Sequence, residues 1–265
     1  ASPCLSGAAF GTCTSKIWTA SASTTDWYDT AWVYRKKITI NAAQVYTTET
    51  AFVVLATTTD SDFADTSNGG HVASASGDDI IIIDDDGLTV LDYEREYYDN
   101  TTGELVIWVE TDISSTSNKT FYLYYGNSSV GSDQQNIVGT WDGDYTLVNH
   151  LNDDPGPGGA GDLEDSTSNS NDATAAGGMT SADLISAKLG LGIDFDGVSD
   201  VLTVPDSGSM DGSTGAGQAR TYAYWLNFTT VNANTLITDK SPFSGNGLWS
   251  EAQVSPNKIR GGTDS

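Results

Sequence analysis

Short apolar or alternating runs follow one another along the chain from Tyr34 onward. They are rich in Val, Ile, Tyr, Trp and Thr, and clusters of Gly, Asp, Asn and Ser separate most of them. They predict strands at Tyr34–Ile40, Ala51–Thr57, Asp79–Ile83, Leu88–Tyr93, Glu104–Val109 and Thr120–Tyr125. No window of about 11 residues carries a helical stripe. This pattern predicts an all-β protein built of two sandwich-type, jelly-roll-like domains.

Two of the predicted turns carry residues that suit tight hairpins. Asp84-Asp85-Asp86-Gly87 separates two predicted strands, and Asn100-Thr101-Thr102-Gly103 precedes Glu104–Val109. Glycine supplies the positive φ angle that such turns need. Both segments therefore favour antiparallel pairing of the strands that flank them.

The composition changes near residues 127–140, where a polar connector follows the last of these runs. This change predicts an irregular N-terminal arm at 1–30, a β-sandwich module at 31–138 and a second block at 139–265. The second block contains a loop-like stretch at 152–182 that is rich in Asp, Gly, Ser and Asn. Strand-like runs resume at Leu189–Phe195, Val201–Val204, Thr221–Phe228 and Thr235–Thr238.

Charge narrows the range of partners. The chain has 11 Lys and Arg against 36 Asp and Glu, a formal net charge of −25. Such a field repels nucleic acid and anionic membrane surfaces and attracts cations. No apolar run approaches the roughly 20 residues that a membrane-spanning helix needs. We therefore expect neither a nucleic-acid partner nor membrane insertion.

The two cysteines, Cys4 and Cys13, lie close together in the N-terminal arm without a second pair or a nearby histidine. This arrangement favours a local disulfide over free thiols and disfavours a zinc site. A disulfide would fit an extracellular setting. Four N-x-[ST] sequons are candidate N-glycosylation sites, although several are expected by chance in a chain rich in Ser and Thr. They begin at Asn100, Asn118, Asn127 and Asn227.

An ordered series of blocks resembles an uncharacterised β-module of secreted bacterial and archaeal proteins. The blocks are Tyr34–Ile40, Asp79–Gly87, Leu91–Asp99, Gly103–Val109 and Tyr122–Asn127. The resemblance implies a β-sandwich on an exported protein that contacts glycans, matrix or other cells. It implies no catalytic residue.

The second block resembles the opening of a laminin-G or concanavalin A-like lectin domain, which commonly follows that module. The resemblance rests on Trp141, Val148–Leu151, Asp165–Thr167, Asn171-Asp172 and Phe195-Asp196-Gly197. The block is shorter than such a domain usually is. We therefore expect an incomplete sandwich, either in a fragment or completed by strands of a neighbouring subunit.

Candidate catalytic groups are few. A nucleophilic triad needs a histidine base, and the chain has only His71 and His150. His71 follows a Gly-rich loop, and His150 is interpreted as a packed or edge residue. Asp92, Glu94 and Glu96 share one strand face, which we interpret as solvent-exposed. Glu110-Thr111-Asp112 lacks the third acid of the Glu-x-Asp-x-x-Glu pattern, because Ser115 stands in its place. We expect no enzyme.

Calcium is the expected cofactor if there is one. Asp194, Asp196 and Asp200 surround Gly197 in a turn and are the candidate ligands, because calcium takes carboxylate oxygens gathered by loops. Acidic loop residues could add ligands: Asp153, Asp154, Asp162, Glu164 and Asp165. For a glycan, the candidates are Trp249 and Asn246, since sugar sites combine exposed aromatic rings with polar side chains.

These observations favour an extracellular, secreted or cell-surface protein that binds glycans or mediates adhesion without catalysis. Glycans or matrix polymers would then be its partners. A second hypothesis is a structural subunit of a surface filament, sheath or virion that polymerises with itself by strand exchange. A remote third is a polysaccharide-active enzyme. Replacement of Glu94, Glu96, Glu110 and Asp112 by amides would test the third.

Overall fold

A computed structural model describes residues 27–156, 162–210, 221–228, 235–240, 248–253 and 258–263. In the described part the chain divides into two compact units, 1–218 and 219–265. This division differs from the predicted boundaries at 30 and 138. Those boundaries concern sequence modules and stay a prediction. Among the described residues, none of the helices has the length and apolarity that crossing a membrane requires.

Two three-stranded antiparallel sheets form the main body of the first unit. The strands are β1 (Tyr34–Ile40), β2 (Glu49–Thr59), β3 (Ile81–Asp84), β4 (Tyr93–Asp99), β5 (Glu104–Ile113) and β6 (Lys119–Tyr125). The first sheet has the order β1–β6–β3, and the second has the order β2–β5–β4. The expected all-β class is confirmed.

The core lies between these two sheets, and alternate side chains of β3, β5 and β6 point into it. In β3 and the residue before it, Ile80 and Ile82 face inward, while Ile81 and Ile83 face outward. The inward set is fully or almost fully buried. It comprises Phe63, Val72, Ile80, Ile82, Tyr93, Leu105, Ile107, Val109, Phe121, Leu123 and Tyr125. The two sheets therefore pack as a sandwich.

The short helices lie between strands. The 3-10 helices are Ala42–Gln44, Ser61–Phe63, Thr66–Asn68 and Ser181–Asp183, and the α-helix α1 is Ile137–Thr140. Asp60 caps the second of them, because its side chain accepts a hydrogen bond from the backbone N–H of Asp62.

A fully buried carboxylate fixes the loop before β3. Asp79 accepts hydrogen bonds from four backbone N–H groups, those of Ala73, Ser74, Gly126 and Asn127. Four backbone donors compensate the free-energy cost of burying a charged carboxylate. Asp79 thus joins its own loop to the end of β6.

The outer face of the β1–β6–β3 sheet is covered by the segment that precedes β1. Trp32 packs there with Ile81, Ile83 and Tyr124. The guanidinium of Arg35 lies 4.7 Å from the ring centroid of Trp27. It also donates to the hydroxyl of Tyr124 at 2.8 Å. This sheet therefore also buries the part of its outer face around Tyr124.

After the sandwich, the first unit contains only short strands in its described part. They are β7 (Thr174–Ala176), β8 (Leu184–Ser186), β9 (Leu191–Ile193) and β10 (Val201–Thr203). They form two antiparallel pairs, β7–β10 and β8–β9. A small core of Leu163, Ala173, Ala175 and Met179 lies among them.

The second unit holds a three-stranded antiparallel sheet in the order β11–β12–β13. These strands are β11 (Thr235–Lys240), β12 (Leu248–Gln253) and β13 (Lys258–Thr263). The segment Thr221–Phe228, which the alternating pattern predicts as a strand, is described without regular structure. The prediction of a strand there is wrong.

Candidate functional site

The acidic row on β4 is buried rather than exposed to solvent. Glu94 is 6% exposed and Glu96 is 8% exposed. Both side chains project from the outer face of the second sheet, on the side away from the core-facing Tyr93. Glu94 pairs across the strands with Trp108. The interpretation of this row as a solvent face is therefore wrong, because a later part of the chain covers it.

His150 lies between the two glutamates. Its Nε2 is 2.9 Å from Oε2 of Glu94, and its Nδ1 is 3.2 Å from Oε2 of Glu96. Only a doubly protonated imidazolium donates from both ring nitrogens. Burial alone would lower the pKa of His150, but hydrogen bonds and charge from the two carboxylates outweigh it and raise that pKa to about 9. His150 is therefore a buried cation at neutral pH.

Two indoles complete the enclosure of this cluster. Trp141 donates its Nε1–H to Oε2 of Glu94, and Trp108 donates its Nε1–H to Oε2 of Glu96 at 2.6 Å. The ring of His150 lies 5.8 Å from each indole centroid and is stacked on Trp108. Aromatic faces stabilise a cation at such distances.

The chain after the indoles adds further contacts to the same glutamates. The hydroxyl of Ser166 donates to Oε1 of Glu94 at 2.6 Å, and the side-chain amide of Asn152 donates to the backbone carbonyl of Glu96 at 2.8 Å. Burial tends to raise the pKa of Glu94, but His150, Ser166 and Trp141 together lower it below its ordinary value. Glu94 therefore stays ionised.

This cluster, comprising Glu94, Glu96, Trp108, Trp141, His150 and Ser166, is hereafter called the Glu–His–Glu cluster. Both oxygens of Glu94 already accept hydrogen bonds, and each nitrogen of His150 faces a carboxylate. A glycosidase needs two carboxylates that face one scissile bond, whereas here an imidazolium fills the space between them. These contacts hold the two carboxylates and the imidazole against one another.

Further acids lie close to the cluster on the same sheet. Asp92 accepts a hydrogen bond from the side-chain amide of Asn136 at 2.8 Å. Burial, followed by the charges of Asp92, Asp142 and Asp112, raises the pKa of Glu110. Asp112 in turn accepts a hydrogen bond from the backbone N–H of Ala51.

His71, the other histidine, packs on an aromatic ring. Its imidazole is stacked on Tyr34 with centroids 4.2 Å apart.

A shallow groove of about 150 Å³ lies at one end of β2 and β5, away from both histidines. It is lined by Thr57, Thr58, Thr59, Glu104, Leu105, Val106, Lys188 and Leu189.

The predicted calcium ligands form a turn. Asp196 Oδ1 accepts hydrogen bonds from the backbone N–H groups of Val198, Ser199 and Asp200, which together hold its pKa well below the usual range. Asp200 accepts from the N–H of Asp196, and Asp194 is exposed. In the ranges that the structure covers, no group of three or more His, Cys, Asp or Glu is arranged to hold a metal ion. Calcium binding here stays a prediction.

The other predicted sites are only partly described. Asn127 is buried and caps its own turn, Asn100 donates to Asp65, and Asn118 and Asn227 are exposed. Trp249 lies on β12, for which the backbone is described. Cys4, Cys13 and Asn246 lie outside the described residues, so the disulfide and the glycan site stay predictions.

Sequence reasoning identified the acidic row and His150 but did not join them. Trp141 and His150 fall in the block that is predicted to be the following domain. The available signal was the alternation of Glu94 and Glu96, two residues apart, together with the aromatic Trp108 on the neighbouring strand. Nothing in the sequence indicates that a histidine 56 residues beyond Glu94 returns to it.

Comparison with known families finds a match within the first unit. The family described as Domain of unknown function (DUF2341) matches residues 76–151. The matched range contains both glutamates, both indoles and His150. It therefore extends past the predicted boundary at 138 and includes Trp141 and Val148–Leu151, which were assigned to the opening of a lectin domain.

The other two comparisons add no relative. No curated protein and no solved structure matches the chain significantly. None of the comparisons supports a laminin-G or concanavalin A-like domain. That part of the resemblance stays a prediction.

Proposed function

We propose that this chain is a non-catalytic adhesive or structural module of an extracellular protein, in which the sandwich is a scaffold for the chain that follows it. The Glu–His–Glu cluster carries the proposal. Its acidic and basic groups satisfy one another and are enclosed by indoles, so they fasten Trp141, His150 and Ser166 to the outer face of the second sheet.

Additional contacts support the role of scaffold. A Cβ on Gly190, in the β8–β9 turn, would lie 2.7 Å from the Cβ of Tyr97 on β4, so this turn packs closely on the second sheet. Lys188 and Leu189 line one groove together with Thr57–Thr59 of β2. The later part of the first unit is thus anchored on the sandwich at more than one point.

Limited proteolysis of His150→Gln tests this function. Cleavage within residues 152–210 should become faster, while the sandwich strands stay resistant, because the following chain loses its fastening. His71→Gln is the matched control, since His71 packs on Tyr34 outside the cluster. Turnover of a polysaccharide by the wild type that a folded Glu94→Gln variant lacks would contradict the proposal and favour an enzyme.

Glycan binding is a second candidate function for the same surface protein. The segment Thr221–Phe228 exposes aromatic side chains: Tyr222 at 45%, Trp225 at 63% and Phe228 at 38%. Exposed aromatic rings stack on sugar faces, and Asn227 beside them offers an amide. A glycan array with and without calcium tests this candidate. Trp225→Ala should abolish any signal, and an unchanged signal would assign binding to another surface.

A further inference from the structure

Lys36 has an unusual environment for a lysine on a strand. Its side chain is only 9% exposed, and its Nζ contacts Oδ2 of Asp60 and lies 2.8 Å from Oδ2 of Asp62. The same nitrogen lies 5.1 Å from the ring centroid of Phe63, which is fully buried. A lysine amine is a nucleophile once a neighbouring base has taken its proton.

The geometry points to an intramolecular amide bond between Nζ of Lys36 and Cγ of Asp60. An ammonium and a carboxylate together contain every atom of an amide and one water molecule, so the reaction needs no co-reactant. Because the sandwich holds the two groups in contact, the step is intramolecular and gains the advantage of proximity.

Asp62 supplies the proton transfers. It carries one proton from the Lys36 ammonium to Oδ2 of Asp60, and the neutral amine then attacks Cγ. The new Nζ–Cγ bond replaces the Cγ–Oδ2 bond. A second proton, carried by Asp62 from Nζ, completes the departing water, and Asp62 returns to its carboxylate form.

A backbone N–H group stabilises the tetrahedral intermediate that forms when the amine attacks. The N–H of Asp62 donates to Oδ1 of Asp60 at 3.0 Å, because Asp60 caps the helix Ser61–Phe63. Negative charge develops on this oxygen when the amine attacks, and a fixed donor aimed at it lowers the barrier. Nucleophile, electrophile, proton carrier and oxyanion donor therefore lie within one group of three residues.

The bond would join the two sheets of the sandwich. Lys36 is on β1 of the first sheet, whereas Asp60 directly follows β2 of the second sheet. A cross-link between these positions would restrict the unfolded chain much as a disulfide does. For a module on the surface of a cell or particle, such a link would resist forced unfolding without depending on redox conditions.

A second lysine ion pair provides an internal control. Lys119 Nζ lies 2.6 and 2.7 Å from the two carboxylate oxygens of Asp84. That pair links β6 to β3 within one sheet. Among the described residues no further carboxylate pairs with Lys119, so this pair lacks a proton carrier. We expect it to remain an ion pair.

Intact-mass measurement of the folded wild-type chain tests the inference. The mass should be lower than that of the sequence by one water, and peptide mapping should find a branched peptide that joins residues 36 and 60. Lys36→Arg should have its full calculated mass, whereas Lys119→Arg should still lack one water. In Asp62→Asn the cross-link should form about a hundredfold more slowly.

Two results would overturn the inference. One is a folded wild-type chain at its full calculated mass after prolonged incubation. The other is a loss of water that persists in Lys36→Arg, which would assign the loss to a cyclic imide at an Asp–Gly step such as Asp86-Gly87. Because the wild type itself decides the first result, the test does not depend on whether a variant folds.

Discussion

His150 Nε2 lies 2.9 Å from Glu94 Oε2, although 56 residues separate the two along the chain. This ion pair joins the chain after α1 to the beginning of β4. It is buried, and a second carboxylate and two indoles surround it. The energetics of the first unit should therefore respond to the state of a single imidazole.

Replacement of His150 by Gln should destabilise the protein by about 3–5 kcal/mol, because two buried carboxylates would lose the cation between them. The change is measurable as a lower midpoint of urea unfolding. His71→Gln should cost much less, since His71 stacks on Tyr34 and has no charged partner in the cluster. Equal losses for the two variants would argue against the cluster as a fastening.

Stability should also depend on pH on the alkaline side. The pKa of His150 is raised from 6.5 to about 9, so the folded state holds this proton more tightly than the unfolded state. The resulting stabilisation is complete below pH 6.5 and disappears as the pH rises through about 9, with a size of about 3 kcal/mol. Unfolding curves from pH 6 to 10 would show this decline, and His150→Gln would remove it.

Asp79→Asn should destabilise the sandwich by about 2–4 kcal/mol. Asp79 is fully buried and accepts four backbone hydrogen bonds, whereas an amide offers one acceptor oxygen and turns its two N–H donors toward other donors. Thermal and urea unfolding would measure the loss. Asp78→Asn is the control, because Asp78 accepts only from the hydroxyl of Ser74 among the described contacts. A change below about 0.5 kcal/mol in Asp79→Asn would contradict the account of this loop.

Asp196→Asn separates the turn from the predicted calcium site. An asparagine oxygen can still accept from the N–H groups of Val198, Ser199 and Asp200, so the turn should persist within about 0.5 kcal/mol. The variant loses the charge that a cation would need. If calcium raises the melting temperature of the wild type but not of this variant, the ion binds at the turn. If calcium raises both melting temperatures equally, it binds elsewhere on the protein. If it raises neither, the protein does not bind calcium.

The sequence predicted best the strands that place apolar side chains at alternate positions toward the core. The predicted run Tyr34–Ile40 coincides with β1, and Thr120–Tyr125 differs from β6 by a single residue at its start. In both strands most side chains on the core face are apolar, with Lys36 as the exception in β1, so their pattern is visible without knowledge of the partner strands. The Asp86-Gly87 turn also forms, with Gly87 at φ 71°.

β4 shows where this reasoning fails. The prediction placed a strand at Leu88–Tyr93, whereas β4 begins at Tyr93 and ends at Asp99. Leu88 is 76% exposed, so its apolar character marks no buried face. Glu94 and Glu96 are buried, but charged side chains read as solvent-facing until their partners are known. Those partners lie far along the chain, and local patterns carry no record of them.

The covered outer faces of the sandwich set the size of the smallest piece that can fold by itself. If the chain were trimmed to β1–β6, it would lose Trp27 and Trp32 from one side and Trp141, His150 and Ser166 from the other. Glu94, Glu96 and Arg35 would then each lose part of the contacts that cover them. If this module is transferred between larger proteins, both flanking segments must therefore be transferred with it. The boundaries of the transferable unit then lie outside its six strands.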